Sequence, residues 1–278
     1  MKRIAGIFLA VLLVLGFEAA SPANAQSTWE QIEKSGKIRV GFIPNRSPYQ
    51  YVEGGKVKGF IDTMTRDFVA QLGKKMGRQI EIDYVQTTNQ TTILDLQANR
   101  MDVYIPLTVT EERRAAVDMF EPLYLMPVVA FNRKGFNPGP DWTTYNKPDT
   151  KVAVVMGTTD ELAAKKRLTT ASVRAMKSTA EAVLEVQAGK SDAVVMGLLL
   201  GLVGVKNNAN LGDITLLQPV EAPPSGGGTR KDGDGRFVRF MQEWATDYQA
   251  KGGATKAIYD AMKEAGLEVE KIPAGAKF

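Results

Sequence analysis

The chain has 278 residues, of which 44% are hydrophobic and 24% charged, with a formal net charge of +4 and neither cysteine nor histidine. This composition is typical of a globular protein of one or two domains, and it excludes a disulfide scaffold and a disordered chain. It also excludes a thiolate zinc site and a serine–histidine–aspartate triad. The basic residues are scattered and lack interleaved aromatic residues, so we expect no nucleic-acid partner.

The N-terminus has the pattern of a secretory signal peptide. A basic pair at residues 2–3 precedes an apolar run over residues 4–17, and Ala23 and Ala25 are the small residues of a cleavage site. No later segment is apolar over the length that a membrane span needs. We therefore predict that residues 1–25 are removed and that the mature protein is soluble in the periplasm.

Short runs rich in β-branched residues alternate with longer segments of helical periodicity, a pattern typical of an α/β fold in which helices flank sheets. We predict strands at residues 38–42, 80–85, 103–106, 128–131, 152–155, 192–196 and 214–217. Helices are predicted at residues 63–75, 92–99, 161–168, 180–188, from 198, and at 235–250 and 255–265. Proline and glycine interrupt this alternation at residues 135–150, which we interpret as a boundary between two lobes.

A second interruption, at residues 219–235, resembles two binding motifs and fits neither. Its run of glycines lacks the Gly-Lys-Ser/Thr ending of a phosphate loop. Asp232 and Asp234 resemble the start of a calcium loop, but Arg236 and Phe237 follow where another ligand and a glycine are needed. We predict a flexible turn here and no cofactor.

Polar residues follow three of the predicted strands, at the strand ends where α/β proteins usually bind ligands. Tyr49 and Tyr51 could form the wall of a ligand site, or could simply cover the edge of the core. Arg113 is the third residue of a helix that Thr110 caps, so it could bind an anion, or form an exposed ion pair. The threonines at residues 158–159 stand at another helix entry, where by themselves they are an ordinary cap.

In order and spacing, these segments together resemble the family 3 extracellular solute-binding proteins, the polar amino-acid receptors of ABC importers. The matching motifs lie at residues 35–41, 48–51, 54–60, 108–113, 117–118, 121–124 and 152–159. The resemblance implies an α/β fold of two lobes, each a mixed sheet flanked by helices, joined by two crossing hinge strands. It implies a first lobe of residues 27–131 and 221–278 and a second of residues 132–220, with crossings near Phe131 and Pro219.

The resemblance also implies which residues bind the ligand. In the family, the arginine matching Arg113 binds the ligand carboxylate, and the threonine matching Thr108 assists it. The groups matching Thr158 and Thr159 close from the other lobe, and the two tyrosines form an aromatic wall. The implied function is that of a monomeric periplasmic receptor, not an enzyme, which closes by a hinge motion on a small carboxylate-bearing ligand and delivers it to an ABC-transporter permease.

Two departures from the family pattern concern the ligand. Gly197 stands where amino-acid receptors usually carry an aspartate that pairs with the ligand ammonium. A buried ammonium without a carboxylate is strongly disfavoured, so either another acid such as Asp160 supplies the charge or the ligand lacks an amine. Pro106 stands where the family often has glycine or serine, and its carbonyl remains available. Residues 225–228 replace the usual apolar return strand.

The alternative function is a periplasmic enzyme on the same fold, resembling the cyclohexadienyl dehydratases. Such chemistry requires a general acid near the departing hydroxyl. Asp160 and Glu161 are candidates, but the absence of an acid at Gly197 leaves no clear proton donor. We therefore predict no catalytic residue and no metal ligand. The expected ligand is a polar amino acid or a related organic acid.

Overall fold

The computed structural model describes residues 26–208 and 211–278, so the predicted signal peptide lies outside the described residues. The helices are α1 (Thr28–Ser35), α2 (Phe60–Met76), α3 (Thr92–Gln97), α4 (Glu111–Ala116), α5 (Trp142–Tyr145), α6 (Thr159–Arg167), α7 (Thr179–Gln187), α8 (Leu198–Asn207), α9 (Arg236–Ala250) and α10 (Gly253–Glu264). The strands are β1 (Lys37–Phe42), β2 (Tyr51–Glu53), β3 (Lys56–Lys58), β4 (Glu81–Gln86), β5 (Val103–Thr108), β6 (Asp118–Leu125), β7 (Val128–Asn132), β8 (Lys151–Val155), β9 (Ser172–Met176), β10 (Ala193–Gly197), β11 (Ile214–Leu216) and β12 (Pro224–Thr229). No helix within these ranges is both long enough and apolar enough to cross a membrane.

Two five-stranded sheets organise the chain. The first has the order β4-β1-β5-β12-β6, and the second has the order β11-β7-β10-β8-β9. In the first sheet β1 is parallel to β4 and β5, whereas β12 is antiparallel to β5 and β6. In the second sheet β10 is parallel to β8 and antiparallel to β7. The predicted α/β class, with two lobes that each contain a mixed sheet flanked by helices, is confirmed.

The chain passes between the sheets at residues 126–127 and again at residues 217–223. These two crossings lie side by side, because the Met126 N–H donates to the Pro223 carbonyl at 3.4 Å and the Val128 N–H donates to the Glu221 carbonyl at 2.8 Å. The first crossing therefore precedes β7 and does not lie near Phe131. The reason is that β7 is buried along its length and pairs with strands of the second sheet on both sides. We propose lobe boundaries at these two crossings.

Helix α2 illustrates how the sequence determines a helix of the first lobe. Met64, Phe68 and Leu72 recur at the i, i+4 spacing of one helix face, and all three are fully buried. The helix ends at Gly77, whose φ of +65° is the left-handed conformation that glycine adopts most easily. The helix is thus capped by a glycine at its C-terminus. The helix begins at Phe60, three residues before the predicted start.

The glycine-rich segment predicted as a turn forms a central strand instead. Strand β12, with the sequence PSGGGT, lies between β5 and β6, and its residues from Ser225 to Thr229 are buried. Gly227 pairs with Phe120, and a Cβ atom at Gly227 would lie 2.1 Å from Cζ of that ring. At Gly227 the phenyl ring occupies the space that a side chain would need, and at Gly228 a Cβ atom would lie 2.8 Å from Cδ2 of Leu107. Elements absent from the sequence prediction are α1, α5, β2, β3, β6 and β9.

Candidate ligand-binding cleft

A cavity of about 90 Å³ lies where the two lobes face each other. Most of the site residues predicted from the sequence line it, namely Tyr49, Pro106, Thr108, Arg113, Thr158, Thr159 and Asp160. The lobe 1 residues stand in the loop after β1, at the end of β5 and in α4, and the lobe 2 residues stand at the N-cap and in the first turn of α6. The carboxyl ends of strands from both sheets thus meet at one place, as expected for an α/β ligand site.

The guanidinium of Arg113 spans the two lobes. Its Nη1 donates to the Thr108 carbonyl at 2.8 Å, and its Nη2 donates to the Gly157 carbonyl of the other lobe at 3.2 Å. Thr110 caps the short helix α4 and accepts the Arg113 N–H at 3.1 Å, which fixes the backbone beneath the side chain. Burial lowers the pKa of Arg113, and the guanidinium forms no ion pair with a described side chain. Arg113 is therefore a partly dehydrated cation with N–H donors still available.

Two further contacts hold the lobes together beside the cavity. The Thr159 hydroxyl donates to the Thr108 hydroxyl at 3.5 Å, and the Gln90 side chain donates to the Met156 carbonyl at 3.0 Å. Gln90 stands between β4 and α3 and was not predicted as part of the site. With these contacts the structure is a closed arrangement, in which only a compact molecule fits between the lobes.

Asp160 is the acid of the cavity. It stands in the first turn of α6, a helix that Thr158 caps by accepting the Glu161 N–H at 3.2 Å. Its Oδ2 accepts the Gly197 N–H at 3.1 Å. Burial raises the pKa of Asp160 to about 6, although the charges of Arg46 and Arg113 and the hydrogen bond from Gly197 oppose that rise. The carboxyl group is thus ionised at neutral pH and protonated in mild acid.

Two predicted site residues lie outside the cavity lining. Tyr51 is the first residue of β2, where it pairs with Lys58 of the β2–β3 hairpin and does not join Tyr49. Gly197 ends β10 and contributes its N–H to Asp160, and a Cβ atom there would lie 3.5 Å from the Tyr49 hydroxyl. Gly197 therefore supports Asp160 through a backbone hydrogen bond and does not itself line the cavity.

The aromatic wall has a different composition from the predicted one. It consists of Tyr49, Tyr104 on β5 and Tyr124 on β6, all of which are buried. Burial raises the pKa of each phenol, so all three stay protonated and can donate a hydrogen bond. Phe60 lies behind two of them, with ring centroids 4.8 Å from Tyr49 and 5.6 Å from Tyr124.

Arg46 is the most consequential cavity residue that sequence reasoning missed. It stands in the loop after β1, three residues before Tyr49, and its guanidinium carbon lies 5.0 Å from the centroid of the Tyr49 ring. The rule that polar residues at strand ends bind ligands applies to Arg46 as well as to Tyr49. The available signal was thus an arginine in a loop already identified as a ligand position.

The raised pKa of Asp160 predicts a specific pH dependence of stability. In the unfolded chain Asp160 has a pKa near 3.8, so the folded protein keeps this proton to a higher pH than the unfolded chain does. Ionisation of Asp160 therefore lowers the free energy of unfolding as the pH rises from about 4 to about 6. Across this pH range we expect the free energy of unfolding of the wild type to fall by about 2 kcal/mol more than that of Asp160→Asn. Urea unfolding of both proteins without ligand, at pH 4 and pH 7, measures the difference. Equal changes in the two proteins would contradict the prediction.

The family model for bacterial extracellular solute-binding proteins, family 3, matches residues 38–262. A probable histidine-binding protein of Campylobacter jejuni is 31% identical over 159 residues, which are 57% of this chain and 59% of that protein. The L-cystine-binding protein TcyJ of Escherichia coli strain K12 is 26% identical over 200 residues, which are 71% of this chain and 72% of that protein. The chain thus spans just under three fifths of the first relative and just under three quarters of the second.

A solved structure with the same architecture is that of the ancestral amino acid-binding protein AncCDT-1, described as a precursor of cyclohexadienyl dehydratase. It has a TM-score of 0.72 and 27% sequence identity, and the match covers 84% of this chain and 99% of that one. The match therefore extends over both lobes and the cavity between them.

Proposed function

Because the chain belongs to the bacterial extracellular solute-binding proteins of family 3, we propose that it is a periplasmic receptor for a small carboxylate-bearing solute. The solute is a polar amino acid or a related organic acid, bound between the lobes and delivered to the permease of an ABC importer. Export rests on the signal-peptide pattern of residues 1–25. Family membership and the cavity between two lobes together support a receptor role.

The single observation that carries the proposal is the state of Arg113. Its guanidinium donates to backbone carbonyls of both lobes and faces a cavity, without an ion pair to any side chain of the described ranges. A dehydrated cation with available N–H donors is stabilised most by a carboxylate, which the planar guanidinium can bind through two parallel hydrogen bonds. A bound carboxylate would also strengthen closure, because the same side chain joins the lobes.

Asp160 supports an amine on the ligand. The sequence left open whether another acid replaces the aspartate that amino-acid receptors carry at the position of Gly197. The carboxyl group of Asp160 accepts a hydrogen bond from the Gly197 N–H, and Asp160 lines the cavity that contains Arg113. It is therefore the group that would pair with a ligand ammonium. The relatives named as histidine- and cystine-binding proteins support an amino acid as the ligand class.

A thermal-shift screen tests the proposal and the amine at once. The panel contains the L-amino acids and their hydroxy-acid, keto-acid and deaminated counterparts, because a ligand that binds only the folded protein raises the melting temperature. We expect at least one amino acid to raise it by several degrees and its deaminated counterpart to raise it less. A panel that leaves the melting temperature unchanged would contradict the proposal.

The same screen distinguishes a receptor from the dehydratase alternative, for which Asp160 is the candidate general acid. With a pKa near 6, a minor fraction of this carboxyl group is protonated at neutral pH, and that fraction is the form that can act as a general acid. For a receptor, the molecule that raises the melting temperature is recovered unchanged after long incubation. Loss of a hydroxyl group from it, detected by mass spectrometry and abolished in Asp160→Asn, would establish the enzyme instead.

A further inference from the structure

The cavity contains a second cation, and we infer that Arg46 binds a second acidic group of the ligand. The ligand class is then a compact dicarboxylate, with or without an amine. This inference rests on the proposed function, because it assumes that Arg113 binds the first carboxylate. It goes further by assigning the other end of the ligand to a residue in the loop after β1.

The loop after β1 holds Arg46 in a defined position. Two backbone hydrogen bonds close the turn, from the Arg46 N–H to the Gln50 carbonyl at 2.8 Å and from the Gln50 N–H to the Arg46 carbonyl at 3.0 Å. The guanidinium lies over the Tyr49 ring at 5.0 Å, a distance at which a cation is attracted to the ring face. The side chain is therefore positioned before any ligand arrives, so little entropy is lost on binding.

The hydrogen-bonding groups of Arg46 are incompletely used. Its Nε atom is buried without a hydrogen-bond partner, and the guanidinium forms no ion pair with any side chain that the structure describes. A buried donor without a partner costs free energy, and a charged one costs more. Since Arg46 lines the same cavity as Arg113, an anionic group of the ligand is the partner that removes this cost.

The charge balance of the cavity favours the amine-bearing members of this ligand class. Arg46 and Arg113 contribute two positive charges, whereas Asp160 is the single carboxylate among the described lining residues. A zwitterionic amino acid with a neutral side chain would leave this balance positive. An amino acid with an acidic side chain would neutralise it, with its ammonium at Asp160 and its two carboxylates at the two arginines. A cationic side chain would add to the excess and is disfavoured.

The size of the cavity restricts the dicarboxylate to a short one. A volume of about 90 Å³ leaves room for a compact molecule between the closed lobes. Thr108 and Thr159 already bridge the lobes at this point, so a long ligand would have to separate them. We therefore expect four- or five-carbon diacids to bind more tightly than longer ones.

Matched acid and amide pairs test the inference by isothermal titration calorimetry at pH 7.5. The pairs are L-aspartate with L-asparagine, L-glutamate with L-glutamine, and succinate with succinamate, in which one carboxylate is replaced by an amide of nearly equal size. Wild-type protein is expected to bind the acid of at least one pair about 10- to 100-fold more tightly than its amide. In Arg46→Gln this ratio is expected to fall to about one.

Two controls separate this inference from the proposed function. Arg46→Lys keeps the positive charge and is expected to retain most of the preference for the acid over the amide. Lys166 is an exposed cation near the cleft, and Lys166→Gln is expected to leave this preference unchanged. An equal affinity for acid and amide in the wild type, with binding still dependent on Arg113, would overturn the role of Arg46 and leave the receptor function standing. If no member of any pair binds, the dicarboxylate inference is overturned, whereas the receptor function is decided by the thermal-shift panel.

Discussion

The Arg113→Ala variant is expected to lose about 100-fold or more of its affinity for the ligand, because the carboxylate is left in a partly dehydrated cavity without its bidentate partner. The fold is expected to persist. The lost side chain contributes two hydrogen bonds to backbone carbonyls beside the cavity. Isothermal titration with the amino acid or organic acid that most raises the melting temperature measures the change.

Two matched variants make this result specific to the guanidinium. Arg113→Lys keeps the charge without the planar fork, so we expect an intermediate loss of affinity. Lys166→Ala removes an exposed cation near the cleft that does not line the cavity, and we expect unchanged affinity. Binding in Arg113→Ala that equals wild-type binding, with normal circular dichroism, would show that the ligand carboxylate lies elsewhere.

The Gly227→Ala variant is expected to lose about 2–3 kcal/mol of unfolding free energy. The added methyl group would lie 2.1 Å from Cζ of Phe120, and that ring is fully buried in the core of the first lobe. A shift of β12 cannot easily relieve the clash, because this strand is hydrogen-bonded to β5 on one side and to β6 on the other. The midpoint and slope of urea unfolding measure the loss.

A double-mutant cycle with Phe120→Leu identifies the cause of that loss. The leucine side chain lacks the ring atoms that the new methyl group would contact, so the second substitution relieves the clash. We expect the double variant to lose clearly less stability than the sum of the two single variants. Additive losses would mean that the alanine acts on the backbone of β12 and not on the ring.

The parts of the site that could be predicted from the sequence are local in origin. Arg113 follows a cap at Thr110, and Thr158 caps α6, so each lies at a helix entry that a few neighbouring residues determine. The i, i+4 spacing of α2 is likewise a property of one segment. Short-range patterns of this kind do not depend on which strands pair.

The parts that could not be predicted depend on pairing between distant segments. Residues 224–228 contain none of the β-branched residues that indicate a strand. Glycine is needed there because Phe120 on β6 crowds Gly227 and Leu107 on β5 crowds Gly228, contacts that depend on strand pairing. The apolar run of β7 would suit either sheet, so the crossing near Phe131 was wrongly placed. Tyr104 and Tyr124 face the cavity because of strand register, which the sequence alone does not reveal.

The most direct test of the central claim, that the cavity binds a carboxylate, is a calorimetric titration of the wild-type protein. The two titrants are the amino acid or organic acid that gives the largest rise in melting temperature and the analogue in which the carboxylate facing Arg113 is replaced by a carboxamide. We predict that the acid binds and that the carboxamide binds about 100-fold more weakly or not at all. Equal binding of the two compounds would contradict the claim.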